Sequence, residues 1–227
     1  MQANPPKGEE SLRFIEDFIC AGSSALIISL IHLCPAYWFL SIFALLPFLW
    51  KLTSTNLSGS IILGTILGSC YAFVAFTDQI LISPSIFLIK LLSLCLIFST
   101  FGALVNRINK YTGFNPIFIA ALWLPFEYAL FHYAHLENIF TFSSINSTFL
   151  IRISSLFGIL MVSFIIVLIN SLILILIRQA VQAYCSETKC SLEDERISYP
   201  LLKRIILQKI YFYYPMRRAP PIHDFHS

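Results

Sequence analysis

Six long apolar stretches, separated by short polar segments, make up most of the chain. A helix that crosses a bilayer needs about 17–25 mostly apolar residues, because it rises about 1.5 Å per residue. Proline removes a backbone donor and clashes with the preceding turn, so Pro35 divides the first long run into a tight helical hairpin. The pattern predicts six spans, over residues 18–34, 36–52, 59–77, 84–105, 116–134 and 153–177. The predicted fold class is therefore all-α, a polytopic integral membrane protein with about six transmembrane helices.

The basic residues predict how these spans are oriented. We call the side that holds the N-terminus side one and the opposite side side two. Of the 15 Lys and Arg residues, all except Lys90 and Arg152 then fall on side one. Cytoplasmic flanks are enriched in Lys and Arg, so both termini are expected in the cytoplasm, an N-in/C-in topology. An even number of spans is favoured, because an odd number would scatter the basic residues over both sides.

Composition supports a membrane protein and excludes several other classes. Hydrophobic residues make up 57% of the chain and charged residues 12%, whereas ordinary globular chains carry about 25% charged residues. So little charge leaves too little polar surface to cover a soluble domain of this size. A secreted disulfide scaffold, a disordered protein, a nucleic-acid-binding module and a conventional cytosolic enzyme are excluded. The expected location is therefore a membrane.

Charge also divides the chain into three parts. Residues 1–17 are predicted to be a cytoplasmic N-terminal segment, residues 18–178 the transmembrane domain, and residues 179–227 a cytoplasmic basic amphipathic tail. Within the tail, residues 187–196 are polar and expected to form a loop. Residues 199–214 place apolar side chains on one helical face and basic ones mostly off it, which suits a helix lying in the membrane interface. A seventh span is the alternative, and the basic residues within this segment disfavour it.

Ionisable side chains inside the bilayer are costly, so each is a functional candidate. Glu127 lies within the fifth predicted span, where it could face a wet cavity, pair with His132 or Arg152, or stay protonated among helices. His132, His135 and Glu137 follow it in the most polar patch of side two. Lys90, near the start of the fourth span, is expected to extend to the headgroups.

Two histidines at i and i+3 near a carboxylate raise the possibility of a metal site. The His-Glu-x-x-His order of zinc proteases is absent from the chain, and interfacial His and Tyr are ordinary membrane anchors. Headgroup contact or packing is therefore the preferred interpretation of His132 and His135, and no metal or other cofactor is expected.

The six cysteines do not suggest a disulfide framework. Four lie in apolar runs, and Cys185 and Cys190 form a C-x4-C pair that is a poor zinc site.

Small and polar residues within the spans are interpreted as helix-packing positions. Ser60, Gly64 and Gly68 recur every four residues and form a stripe that lets another helix approach closely. Asn170 lies deep in the sixth predicted span, where an amide is expected to hydrogen-bond to a neighbouring helix.

The order of these segments resembles the membrane region of bacterial apolipoprotein N-acyltransferases over roughly residues 20–178. The proline-broken hairpin at residues 25–52 is followed by a helix with Gly64, Gly68 and Tyr71. The most similar motifs are A-L-W-x3-E, which contains Trp123 and Glu127, and F-G-x4-S-F-x5-N, which ends at Asn170.

The resemblance implies a role in moving an acyl chain from a phospholipid to the N-terminal cysteine of a lipoprotein on the periplasmic face. It also implies a location in the bacterial cytoplasmic (inner) membrane. In that family catalysis belongs to a nitrilase-like domain with Glu, Lys and Cys, for which the residues after Arg178 leave no room. No catalytic residue is carried over; Trp123, Glu127 and Asn170 match only as positions. The chain departs from the family pattern at Ala129 and Leu130, and at residues 137–142.

Three hypotheses follow. The first is a truncated or split acyltransferase-like membrane module, not catalytic alone, whose partners are phospholipid and either a lipoprotein or a separate nitrilase-like chain. The second is a non-catalytic scaffold that binds lipid or partner helices. The third, a small transporter that uses Glu127, ranks last because neither inverted repeats nor discontinuous helices are evident. No nucleic-acid partner is expected.

Overall fold

The structure is a computed structural model that describes residues 7–133, 140 and 148–194, with side chains at 14–132, 140 and 150–184. All regular elements in these ranges are helical. They are α1 (Lys7–Leu33), a 3-10 helix (Pro35–Ile42), α2 (Leu46–Leu52), α3 (Leu57–Ala75), α4 (Thr77–Ile82), α5 (Pro84–Thr112), α6 (Pro116–Tyr133), α7 (Thr148–Phe157) and α8 (Ile159–Asp194). The chain divides into two compact units, residues 1–180 and residues 181–227. In the second unit the structure describes only the helical residues up to Asp194, and the predicted interfacial helix at 199–214 lies outside the described residues.

The predicted class, an all-α polytopic membrane protein, is confirmed. Five of the described helical stretches are long and apolar enough to cross a bilayer: Phe14–Leu33, Pro35–Leu52, Leu57–Ala75, Pro84–Thr112 and Ile159–Tyr184. The fifth predicted span is the apolar helix α6, which is shorter in its described side chains, Pro116–His132. Its 18 residues extend over roughly 27 Å at 1.5 Å per residue, close to the thickness of a bilayer's hydrocarbon core.

The second span is not the continuous helix that the sequence predicted. The 3-10 helix Pro35–Ile42 gives way to a turn at residues 43–45, and α2 begins at Leu46. Pro47 explains the break, because it has no N–H to donate and its ring would clash with the carbonyl of Phe43 in a continuous helix.

Two polar side chains from other helices satisfy backbone donors near this break. Leu45 N–H donates to Asn170 Oδ1 at 3.0 Å, and Asn170 Nδ2 donates to the Ser41 carbonyl at 2.8 Å. Phe48 N–H donates to Ser24 Oγ at 3.0 Å. Irregular backbone is tolerated at membrane depth only when its polar groups are paired within the protein. Asn170 and Ser24 therefore make the broken span compatible with the bilayer.

The sixth span also differs from its predicted bounds of 153–177. Gly158 has φ +87°, a left-handed conformation that ends a helix and that glycine adopts without strain. Residues 153–157 consequently belong to the separate helix α7, and the span begins at Ile159. Helix α8 then continues to Asp194, so the polar loop predicted at 187–196 is wrong as far as residue 194.

The closest helix packing joins α3 and α5, which run antiparallel. A Cβ on Gly68 would lie 2.7 Å from the Leu94 carbonyl oxygen, and one on Gly102 would lie 2.8 Å from the Ser60 carbonyl oxygen. A Cβ on Gly64 would overlap the backbone of Phe98 and Ser99. Ser60 is fully buried and donates its hydroxyl to the Asn56 carbonyl within its own helix. The glycines therefore bring two backbones into direct contact across the bundle.

Charged and aromatic side chains mark the two ends of the first unit. At the side-one end, Lys51 Nζ lies 2.9 Å from Glu16 Oε2 and 3.1 Å from Asp17 Oδ1. The Arg178 guanidinium lies 5.7 Å from the Trp50 ring and 5.5 Å from the Phe114 ring. At the side-two end, Lys90 Nζ lies 4.4 Å from the Phe76 ring, a distance typical of a cation–π contact.

Candidate functional site

The candidate site is built on α6, the helix that carries the A-L-W-x3-E motif. Asn115 starts the helix by accepting the Ile117 N–H at 3.0 Å on its Oδ1. Trp123 and Glu127 lie four residues apart and therefore project from the same face. Both side chains are fully buried.

A short hydrogen bond joins these two residues. Trp123 Nε1–H donates to Glu127 Oε2 at 2.6 Å. A buried polar group is costly unless it is hydrogen-bonded, and an indole has only one donor. The carboxyl at residue 127 is thus the acceptor that lets a tryptophan lie fully inside the bundle.

Aromatic rings surround Trp123 on several sides. Its ring centroid lies 5.0 Å from that of Phe101 in an edge-to-face arrangement and 5.7 Å from that of Phe98. Phe140, which is fully buried, lies 5.6 Å from Trp123. Such pairs contribute about 0.5–1.5 kcal/mol each beyond their buried area. The indole is therefore held rigidly, and Glu127 is held with it.

Phe140 packs against Trp123 in the bundle interior, although it follows the end of α6 in the sequence. Tyr133 ends α6, and Trp123 lies about 15 Å before that end along the helix axis. Because Phe140 packs on Trp123, residue 140 lies well below the side-two end of α6. Phe140 therefore adds a ring from beyond α6 to the aromatic surroundings of Trp123.

The opposite face of α6 presents a second aromatic group. The rings of Tyr128 and His132 stack 5.6 Å apart with an interplanar angle of 8°. Both residues are exposed, as is Phe131. Tyrosine and histidine combine an apolar ring with polar hydrogen-bonding atoms, which suits the membrane interface. We call Tyr128 and His132, with Phe131 at the edge nearer to Glu127, the outer aromatic face of α6.

The structure separates residues that the sequence grouped in one polar patch. Glu127 points into the bundle with Trp123, whereas His132 lies on the exposed side with Tyr128. His135 and Glu137 lie outside the described residues. The contacts of Phe101 and Phe140 with Trp123 were not predicted from the sequence, because neither residue differs from the apolar residues near it along the chain.

The predicted packing residues make contacts between helices. Gly64 and Gly68 face the backbone of α5. Asn170 is fully buried and bonds to the break in the second span and to the Ile166 carbonyl of its own helix. Among the described side chains, no group of three or more His, Cys, Asp and Glu could hold a metal ion.

This architecture is that of a polytopic helical membrane protein with a buried Trp–Glu pair under an aromatic cover. A family model for the apolipoprotein N-acyltransferase N-terminal domain matches residues 24–172, and the chain belongs to that family. The resemblance drawn from the sequence is thereby confirmed. Neither curated proteins nor solved structures give a match to the chain.

Proposed function

We propose that this chain is the substrate-holding membrane module of a split lipoprotein acyl-transfer system. The observation that carries the proposal is the match to the apolipoprotein N-acyltransferase N-terminal domain over residues 24–172. That match includes the buried Trp123–Glu127 pair and the outer aromatic face of α6. The module acts in the bacterial inner membrane with both termini in the cytoplasm, which sets side two on the periplasmic face.

In this proposal the chain binds substrate rather than transforming it. Tyr128 and His132 contact the headgroup region of a phospholipid or of a lipoprotein's lipid anchor, and Phe131 contacts its acyl chains. Trp123 and Glu127, fixed by the surrounding rings, hold α6 in the orientation that presents this face. A separate nitrilase-like chain supplies the catalytic groups. The reaction cleaves an acyl ester of the phospholipid and forms an amide on the lipoprotein's terminal amino group, releasing a lysophospholipid.

A complementation experiment tests the split system. This chain and a separately encoded nitrilase-like domain are expressed together in a bacterium depleted of its own N-acyltransferase. The expected result is N-acylated lipoprotein, detected by mass spectrometry of the N-terminal peptide as the mass of one added acyl chain. Neither chain alone restores that mass, and a variant of the nitrilase-like chain without its cysteine restores nothing.

Lipoprotein that stays without the added acyl chain, although both chains are present in the membrane fraction, contradicts the split-enzyme proposal and favours the non-catalytic scaffold.

The broken second span is a feature that this chain has in common with transporters, which often contain discontinuous helices. Its backbone donors are engaged by Asn170 and Ser24, however, so they are not presented to a transported ligand.

A further inference from the structure

A cleft at the side-one end of the bundle lies far from α6's outer aromatic face. Its volume is about 320 Å³, and Leu57, Asn106, Arg107, Lys110 and Tyr111 line it. The four polar residues come from the last turns of α5. Because residues three and four apart share a helix face, Arg107 and Lys110 are neighbours, and so are Asn106 and Lys110. The described lining therefore combines two cations with no carboxylate.

Asn106 adds an acceptor to this lining. Its Nδ2 donates to the Leu52 carbonyl at 3.2 Å and to the Thr55 carbonyl at 2.7 Å, which fixes the orientation of the amide. The residue is 2% exposed, and within the described part of the chain its Oδ1 has no hydrogen-bond donor. Buried acceptors are normally paired. A ligand that carries a hydrogen-bond donor would supply the missing partner of Asn106 Oδ1.

The cleft lies at the level of lipid headgroups. Asn106 donates to the carbonyls of Leu52 and Thr55. Leu52 directly follows Lys51, which pairs with Glu16 and Asp17. Tyr111, 77% exposed, lies beside the two cations. Exposed tyrosine and basic residues at the end of a span are typical of the membrane–water interface. A ligand of this cleft can therefore come from the adjoining leaflet.

We propose that this cleft binds the headgroup of an anionic glycerophospholipid whose headgroup carries a hydroxyl, such as phosphatidylglycerol. The phosphodiester lies between Arg107 and Lys110, and the headgroup hydroxyl donates to Asn106 Oδ1. An ethanolamine headgroup is disfavoured because its ammonium would approach two like charges. The proposal does not depend on the acyl-transfer role, since the site lies at the opposite end of the first unit.

Binding to the purified full-length chain in detergent tests the proposal, with phosphatidylglycerol titrated and the complex quantified by native mass spectrometry. The double variant Arg107→Gln/Lys110→Gln is expected to bind about 10- to 30-fold more weakly, since each basic residue near an anionic lipid contributes about a factor of five. Arg152→Gln, which removes an exposed cation on α7, is the matched control and is expected to bind within about twofold of the unmodified chain.

Two further ligands separate the parts of the proposal. Phosphatidylmethanol carries the same phosphodiester charge without a hydroxyl and is expected to bind about fivefold more weakly, a typical value for one lost hydrogen bond. Phosphatidylethanolamine is expected to bind more weakly than phosphatidylglycerol. Equal binding by the double variant and the Arg152→Gln control, or equal binding of these three lipids, overturns the proposal. So does displacement of phosphatidylglycerol by millimolar inorganic phosphate, which would identify a site for free phosphate.

Discussion

Gly64→Ala is expected to lower the free energy of unfolding by about 3 kcal/mol, the upper range for overpacking a core. The added methyl would lie 2.6 Å from the Phe98 carbonyl carbon and 2.6 Å from Ser99 Cα. These are backbone atoms of α5, so no side-chain rotation can make room. The two helices must separate, which weakens the most extensive helix contact in the described bundle. Reversible denaturation of the detergent-solubilised protein measures the change.

Gly22→Ala is the matched control for this prediction. Gly22 lies inside α1, and a Cβ built on it meets nothing within 4 Å. Alanine has a higher helix propensity than glycine, so this variant is expected to be unchanged or more stable by up to about 1 kcal/mol. If Gly64→Ala proves as stable as Gly22→Ala, the backbones of α3 and α5 are not in direct contact at Gly64.

Asn170→Leu is the second substitution with a large expected effect, a loss of about 2–4 kcal/mol in the free energy of unfolding. The amide joins Leu45 N–H and the Ser41 carbonyl across the break in the second span. Leucine is similar in size but bonds to neither group. The Leu45 N–H would then be left in the bundle interior without its acceptor. The same denaturation experiment measures this loss.

Ser171→Ala controls for the removal of a buried polar side chain from the same helix. Ser171 is fully buried, and its hydroxyl donates to the Val167 carbonyl of its own helix at 2.9 Å. That carbonyl already belongs to the α8 ladder, so the substitution is expected to cost less than about 1 kcal/mol. Equal losses for Asn170→Leu and Ser171→Ala would mean that the break does not depend on Asn170.

The membrane class and most of the helical segments could be predicted because bilayer thickness imposes one strong constraint on apolar length. Two details could not be predicted that way. Pro47 stops the helix that Pro35 begins, and hydropathy does not respond to a missing backbone donor. Gly158 lies within an apolar run. The hydropathy pattern is therefore continuous there, and it does not show that the backbone changes direction at this residue.

The candidate site was predictable only in part. Glu127 was identified because a carboxyl is rare within a span, and Trp123 because the motif contains it. That these two residues can pair follows from their spacing of four, but the packing of Phe140 on Trp123 is a tertiary contact. The opposite orientation of His132 follows from helix geometry once α6 is known to continue to Tyr133. Tertiary packing, rather than local pattern, decided which polar residue faces the interior.

The proposed function requires that the outer aromatic face of α6 holds lipid substrate, and a binding isotherm measures this binding. A fluorescent diacylglyceryl lipopeptide is titrated against the full-length protein in phospholipid nanodiscs. Saturable binding is expected, and Tyr128→Ala/His132→Ala is expected to weaken it about 5- to 10-fold through loss of the stacked pair. Phe118→Ala, which truncates another exposed ring near the opposite end of α6, is expected to leave the affinity unchanged. Identical isotherms for the double variant and Phe118→Ala, or non-saturable partitioning alone, would contradict the claim.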